Sequence, residues 1–334
     1  MPVAPTRILL VRLKSIGDVL LTLPAVAAIR ENYPSAKITF LTSQENTSLL
    51  RGFAGVDEVI ALDRAALRSG NPFRLVPHFF GLLRRLRAGK FDLVVDFQGN
   101  GETGWLTWFT GARQRWGSVY KAGQGRAYTH RVTRQKEIHP ADGNLELLRQ
   151  CGLTIRAPQN EFMLPAEALA TARKFFTDHQ LDPDGETLFV QPFTSSSHKN
   201  WPLENFIALA CHWQARGGQV IFGGGPDDRV ALQPVISAGF VVSAGVPLLV
   251  TGGLLKLSTL VVGGDTGAMH LAVALGRRVV MLMHAQETGS PCPFGQPVWA
   301  IIPPQTNEMS EISLATVQTA CDAAVSAPAG NVSC

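Results

Sequence analysis

The chain has 334 residues, 46% of them hydrophobic and 17% charged, with a formal net charge of +4. The length suits two domains of ordinary size, and the composition excludes intrinsic disorder. The mild positive balance predicts no nucleic-acid partner and suits an acidic ligand or an anionic membrane surface. No apolar run is long enough to cross a bilayer, so any membrane contact would be peripheral. Five scattered cysteines (Cys151, Cys211, Cys292, Cys321 and Cys334), without CxxC spacing, read as thiols of a reducing, cytoplasmic compartment.

Short β-branched runs alternate with longer amphipathic ones along the whole chain, the pattern of parallel sheets flanked by helices. The first half predicts strands over 7–12, 37–41, 58–62 and 92–96, with helices over 18–32, 73–88, 101–109 and 141–151. Pro158 and Pro165 mark the passage to the second half. There the pattern predicts a helix over 166–179, then strands over 187–190, 219–222, 239–242, 259–262, 278–282 and 298–302. Helices are expected over 203–216, 266–275 and 310–325. The fold class is α/β: two Rossmann-like, doubly wound parallel-sheet domains, 1–160 and 161–334, facing across a ligand cleft at the carboxyl ends of their strands. From Gly111 to Lys136 the chain carries Arg113, Arg115, Lys121, Arg126, Arg131, Arg134 and Lys136 and no acid, which reads as a basic loop, either solvated or gripping an anion.

Four strand-to-helix junctions carry candidate chemistry. Ser15-Ile16-Gly17-Asp18 follows the first strand and opens a helix. Gly17 permits close backbone approach, and Asp18 is either an N-cap or a carboxylate base. Arg12 and Lys14 lie at the mouth of the same strand, where they can hold an anionic substrate beside it. Thr194-Ser195-Ser196-Ser197-His198-Lys199-Asn200-Trp201-Pro202 follows the strand at 187–190. Its hydroxyls and Lys199 make either a phosphate cradle or a polar capping loop. Gly263-Gly264-Asp265-Thr266-Gly267-Ala268-Met269-His270 runs from a strand through glycines into a helix. The backbone N–H groups at such a helix start bind anions, and Thr266 and His270 share a helix face. Phe222-Gly223-Gly224-Gly225-Pro226-Asp227-Asp228 either offers an acid to ribose hydroxyls or is a turn. Two other patterns carry less. Gly99-Asn100-Gly101-Glu102-Thr103-Gly104 fits GxGxxG but lacks an acid about 20 residues on. Asp182-Pro183-Asp184 reads as a turn rather than a metal site.

Taken together and in order, four segments resemble the lipopolysaccharide heptosyltransferase family, glycosyltransferase family 9. They are Gly17-Asp18-Val19-Leu20-Leu21-Thr22-Leu23-Pro24, Asp96-Phe97-Gln98-Gly99, Lys199-Asn200-Trp201-Pro202 and Gly264-Asp265-Thr266-Gly267-Ala268-Met269-His270. The resemblance implies the GT-B fold. It also implies inverting, metal-independent transfer of heptose from ADP-heptose to Kdo-lipid A or a preceding core heptose, with no cofactor. It assigns Asp18 as the base, with Arg12, Lys14 and Gly17 beside it on the acceptor side. Thr194, Ser195 and Lys199 would hold the donor phosphates, and Asp265, Thr266 and Gly267, with His270, would line the donor site. A sugar-nucleotide epimerase of similar two-domain fold is the alternative; it would act on the donor without an acceptor.

Overall fold

The computed structural model describes residues 4–64, 72–120, 125–156, 159–284 and 290–327. Lys121, Pro158 and Cys334, singled out above, lie outside the described residues. The chain divides into two compact units, Met1–Asn160 and Glu161–Cys334.

Unit 1 is a parallel sheet of β1 (Arg7–Val11), β2 (Lys37–Ser43), β3 (Glu58–Leu62), β4 (Leu93–Asp96), β5 (Gln114–Val119) and β6 (His130–Thr133). Its helices are α1 (Ile16–Leu20), α2 (Leu23–Asn32), α3 (Pro72–Ala88), α4 (Gly101–Phe109) and α5 (Pro140–Gln150). The strand order is β3-β2-β1-β4-β5-β6. Ile8 lies between Ile38 of β2 and Leu93 of β4, and Ile8 through Val11 are fully buried, as a strand covered by helices on both faces requires.

Two expectations are corrected here. The helix predicted over 18–32 is two helices, because Pro24 has no N–H to donate to the carbonyl of Leu20, so the first helix ends there and a second begins at Leu23. The Leu21 carbonyl left at the break accepts from Asn144 Nδ2 of α5 at 3.0 Å. The basic stretch is not a loop: it holds β5 and β6. Its pattern is masked by Gly117, where a Cβ would lie 2.5 Å from the Tyr128 ring; the strand contains a glycine because an aromatic ring occupies the space.

Unit 2 repeats the scheme. Its strands are β7 (Thr187–Gln191), β8 (Gln219–Phe222), β9 (Val241–Val242), β10 (Leu260–Gly264), β11 (Arg278–Leu282) and β12 (Ala300–Ile301), all parallel in the order β12-β11-β10-β7-β8-β9. Its helices are α6 (Ala166–Asp178), α7 (Leu203–Ala215), α8 (Gln233–Ser237), α9 (Leu248–Leu257), α10 (Gly267–Ala274) and α11 (Leu314–Ser326). The residue pattern does not signal α9, because Gly252-Gly253 looks like a helix breaker. A Cβ on Gly253 would lie 2.5 Å from Ala172 Cβ and 2.8 Å from the Ala168 carbonyl, so the glycine is what lets α9 pack against α6. The core of this unit gathers Leu188, Trp201, Phe206, Phe222, Val262 and Val280. Among the described residues no helix is long and apolar enough to cross a membrane.

Candidate active site

In a doubly wound sheet the chain reverses direction across the sheet at one pair of neighbouring strands, and ligands bind beyond their carboxyl ends. In unit 1 that pair is β1 and β4; in unit 2 it is β7 and β10. Three of the four junctions singled out in the sequence fall at these two points.

Beyond β1, Ser15 caps α1 and Asp18 completes the capping box: its Oδ2 accepts the Ser15 N–H at 2.8 Å and the Ser15 hydroxyl at 3.2 Å. The cap does not exhaust the carboxylate. Its Oδ1 faces Arg12 Nη2 at 2.7 Å, and the side chain is still 38% exposed. Burial by itself would raise the Asp18 carboxyl, but the Arg12 guanidinium and the Ser15 donors outweigh it and hold the group below its ordinary value. Arg12 is itself buried, and it also donates to the carbonyls of Lys14 (3.1 Å) and Phe97 (2.8 Å). Its guanidinium is therefore engaged with Asp18 and the backbone rather than open to an acceptor anion. Lys14 is exposed beside it, and Gly17 is buried in the first turn.

The β4 loop closes the site from the other side. Gln98 Oε1 accepts the Leu13 N–H at 3.0 Å. Asp96 is fully buried and clamps its own loop, accepting from the Gln98 and Gly99 N–H groups at 2.9 and 3.0 Å and from the Tyr128 hydroxyl at 2.6 Å. Gly99 has φ +69°, and a Cβ there would lie 1.4 Å from the Ser118 carbonyl oxygen. The GxGxxG match is thus a packing feature of β4 and β5. In the sequence nothing distinguishes Arg134 from the other cations of its basic stretch. The structure places it here, with Nη2 on the Phe97 carbonyl at 2.8 Å and the guanidinium 5.1 Å from the Tyr120 ring centre. Arg115, by contrast, is tied to the carbonyls of Ala112 and Ala127.

In unit 2 the loop after β7 is stitched shut by Asn200, whose Oδ1 accepts from the Thr194 N–H (2.8 Å) and hydroxyl (2.9 Å). Trp201 anchors the loop from below: it is buried, packs edge-on against Phe206, and donates its indole N–H to the Ile312 carbonyl at 2.8 Å. Ser195 is exposed and Lys199 half-buried; among the described residues Lys199 has no carboxylate partner. Glycines bring this loop against β10. A Cβ on Gly264 would lie 2.4 Å from Thr194 Cγ2, and one on Gly263 equally close to the Gln191 carbonyl. Past β10, Asp265 Oδ1 pairs with Nε2 of buried His270 at 3.0 Å, which gives that helical histidine a defined partner. Thr266 caps α10 with its backbone, while its own hydroxyl is buried and has no partner among the described residues. His198 and His284 meet edge to face at 5.1 Å beside the loop, a pairing no spacing in the sequence signals. The fourth junction is a turn: Asp228 accepts the Gly225 N–H at 2.7 Å. So is Asp182-Pro183-Asp184, where Asp182 Oδ1 accepts the Asp184 N–H at 2.9 Å.

Known proteins match the chain over most of its length. The family described as glycosyltransferase family 9 (heptosyltransferase) matches residues 79–313. The chain belongs to glycosyltransferase family 9. A curated relative, lipopolysaccharide heptosyltransferase 3 of Escherichia coli, is 26% identical over 285 residues, covering 81% of each chain. The crystal structure of a glycosyl transferase family 9 protein from Veillonella parvula superimposes with a TM-score of 0.86 at 23% identity, covering 97% of this chain and 98% of that one. The E. coli heptosyltransferase WaaC with ADP-2-deoxy-2-fluoro heptose gives a TM-score of 0.75 at 23% identity, covering 94% and 98%. The architecture of this family 9 chain is accordingly that of a GT-B glycosyltransferase.

Proposed function

We propose that this enzyme transfers a heptose from ADP-heptose to the inner core of lipopolysaccharide, either Kdo-lipid A or a core heptose, with inversion at the anomeric carbon and without a metal ion. The observation that carries the reading is the coincidence of the family motifs with the switch points of both sheets. Asp18 lies at one of them, and Thr194, Lys199 and Asp265 lie at the other.

In this reading Asp18, kept ionised by Arg12, takes the proton of the acceptor hydroxyl as its oxygen attacks the anomeric carbon. Arg12 positions the base, while Lys14 and Arg134 face the anionic acceptor. The bond from the anomeric carbon to the donor phosphate breaks in the same displacement, which is why configuration inverts. The leaving ADP gathers negative charge on its terminal phosphate. Lys199, the Ser195 hydroxyl on the loop that Thr194 closes, and the N–H groups of Thr266 and Gly267 at the start of α10 stabilise that charge, the lysine supplying the positive charge a divalent cation provides elsewhere. His270 orients Asp265 toward the donor. The lipid-linked acceptor brings the protein to the cytoplasmic face of the inner membrane as a peripheral visitor.

The test is Asp18→Asn, assayed with ADP-heptose and Kdo-lipid A or heptosylated acceptor. Transfer is expected to fall below detection while ADP binds with wild-type affinity. Retained turnover removes Asp18 from the role, and donor isomerisation without acceptor replaces the transferase reading with an epimerase.

A further inference from the structure

Unit 1 holds a half-open pocket of about 470 Å³ that the site described above does not use, lined by Asn100, Gly101, Trp105, Trp108, Arg126 and Tyr128 among others. We propose that it is an acceptor subsite that takes a further, anionic sugar ring of the core oligosaccharide, stacked on Trp108 and paired with Arg126. The proposal rests on the reading of this chain as a core transferase.

Its place is the first argument. The pocket opens from the same β4 loop that supports Asp18: the Phe97 carbonyl holds Arg12 and Arg134, and Gly99 and Asn100, two and three residues on, already line the pocket. Its chemistry is the second. Trp108 is 57% exposed and has no ring partner among the described residues, so its indole face is open. Electron-rich indole faces pair with the weakly positive C–H groups of a pyranose face. Trp105 beside it is locked between Phe79 (5.6 Å) and Phe109 (5.5 Å). Charge is the third. Arg126 stands exposed at the pocket with no carboxylate partner among the described residues, as a carboxylate- or phosphate-bearing ring requires. One side of the wall is also fixed: Tyr128 is held by Asp96 at 2.6 Å and seated over Gly117. An acyl chain would call instead for an enclosed apolar channel.

The structure supplies a clean perturbation. A Cβ on Gly101, in the pocket wall, meets nothing within 4 Å, so Gly101→Leu adds bulk at the pocket with no clash at its Cβ. Trp108→Ala and Arg126→Met remove the stack and the cation at exposed positions, and thermal unfolding of all three variants checks the fold. The probes are O- and N-deacylated inner-core oligosaccharide, which carries Kdo carboxylates, and a single-ring methyl heptoside. In wild type kcat/KM favours the oligosaccharide; each variant is expected to reduce that preference about tenfold, through KM. An unchanged preference overturns the subsite. A loss confined to acylated acceptor in anionic vesicles also overturns it, in favour of a lipid-facing patch. Calorimetric titration with the deacylated oligosaccharide separates the two readings. If wild type transfers no heptose but binds the oligosaccharide about tenfold more tightly than Gly101→Leu, the transferase reading fails and the subsite stands. If transfer proceeds and Gly101→Leu alters neither binding nor preference, the subsite alone fails.

Discussion

Replacing Arg12 with methionine keeps the volume of the side chain stem and removes the charge that defines Asp18. Three contacts are lost, with Asp18 Oδ1 (2.7 Å) and with the carbonyls of Phe97 (2.8 Å) and Lys14 (3.1 Å). They are not equally expensive. The Phe97 carbonyl keeps Arg134 Nη2 at 2.8 Å. Lys14 is exposed, so water reaches its carbonyl. The Asp18 side chain is 38% exposed, so solvent screens much of the lost ion pair, which is worth about 1 kcal/mol rather than the several of a fully buried one. A total of about 2 kcal/mol follows, or roughly 4–8 °C in Tm for a unit of this size. The kinetic effect is larger in kind. With the guanidinium gone, burial acts on the Asp18 carboxyl against the Ser15 donors alone, and its pKa rises. The ionised form is the base, so activity is present above this pKa and lost as pH falls through it. In wild type that loss lies below the ordinary carboxylate range; in Arg12→Met it moves to higher pH. Misorientation of the freed carboxylate lowers kcat about 10- to 100-fold at neutral pH. The assay is the pH profile of kcat/KM beside a thermal melt. An acid limb at the wild-type position together with a Tm within about one degree of wild type would refute the argument that Arg12 sets the state of the base.

Lys199→Met is expected to lower kcat about 10²- to 10³-fold, with ADP bound less tightly, because a cation aimed at a leaving phosphate acts most in the transition state; a wild-type kcat from steady-state kinetics rules the role out. Asn200→Ala frees the N–H and hydroxyl of Thr194 and loosens the loop, so the donor KM should rise about 3- to 10-fold with little change in Tm, and an unchanged donor KM contradicts the stitching. Gly99→Ala combines a left-handed backbone at φ +69° with a Cβ 1.4 Å from the Ser118 carbonyl, and should unfold at least about 5 °C lower by calorimetry.

The layered α/β class was present in the alternation of short apolar runs and amphipathic stretches, because strand and helix periodicities are local. Glu58–Leu62, Gly101–Phe109, Gln219–Phe222 and Arg278–Leu282 have the bounds that pattern predicts. Asp18, Thr194, Lys199 and Asp265 could be singled out for the same reason: each follows a readable strand and precedes a readable helix. Local pattern failed where a residue answers to a distant part of the chain. Gly117 breaks the β5 pattern to make room for Tyr128, and Gly253 looks like a helix breaker in α9 because α6 packs against it.

The sequence by itself determined which groups could do chemistry, since residue type and the junction it occupies are properties of the chain. Only the tertiary structure decided their state. Arg12 was one of two cations near Asp18 in the sequence; folding turned it into the buried partner that keeps that carboxylate ionised, and left Lys14 in solvent. Arg134 was one of seven basic residues in its stretch, and only the pairing of β5 with β6 brings it to the Phe97 carbonyl beside Asp18. Charge and hydrogen-bonding capacity are written residue by residue, whereas desolvation and pairing depend on what the fold places within a few ångströms.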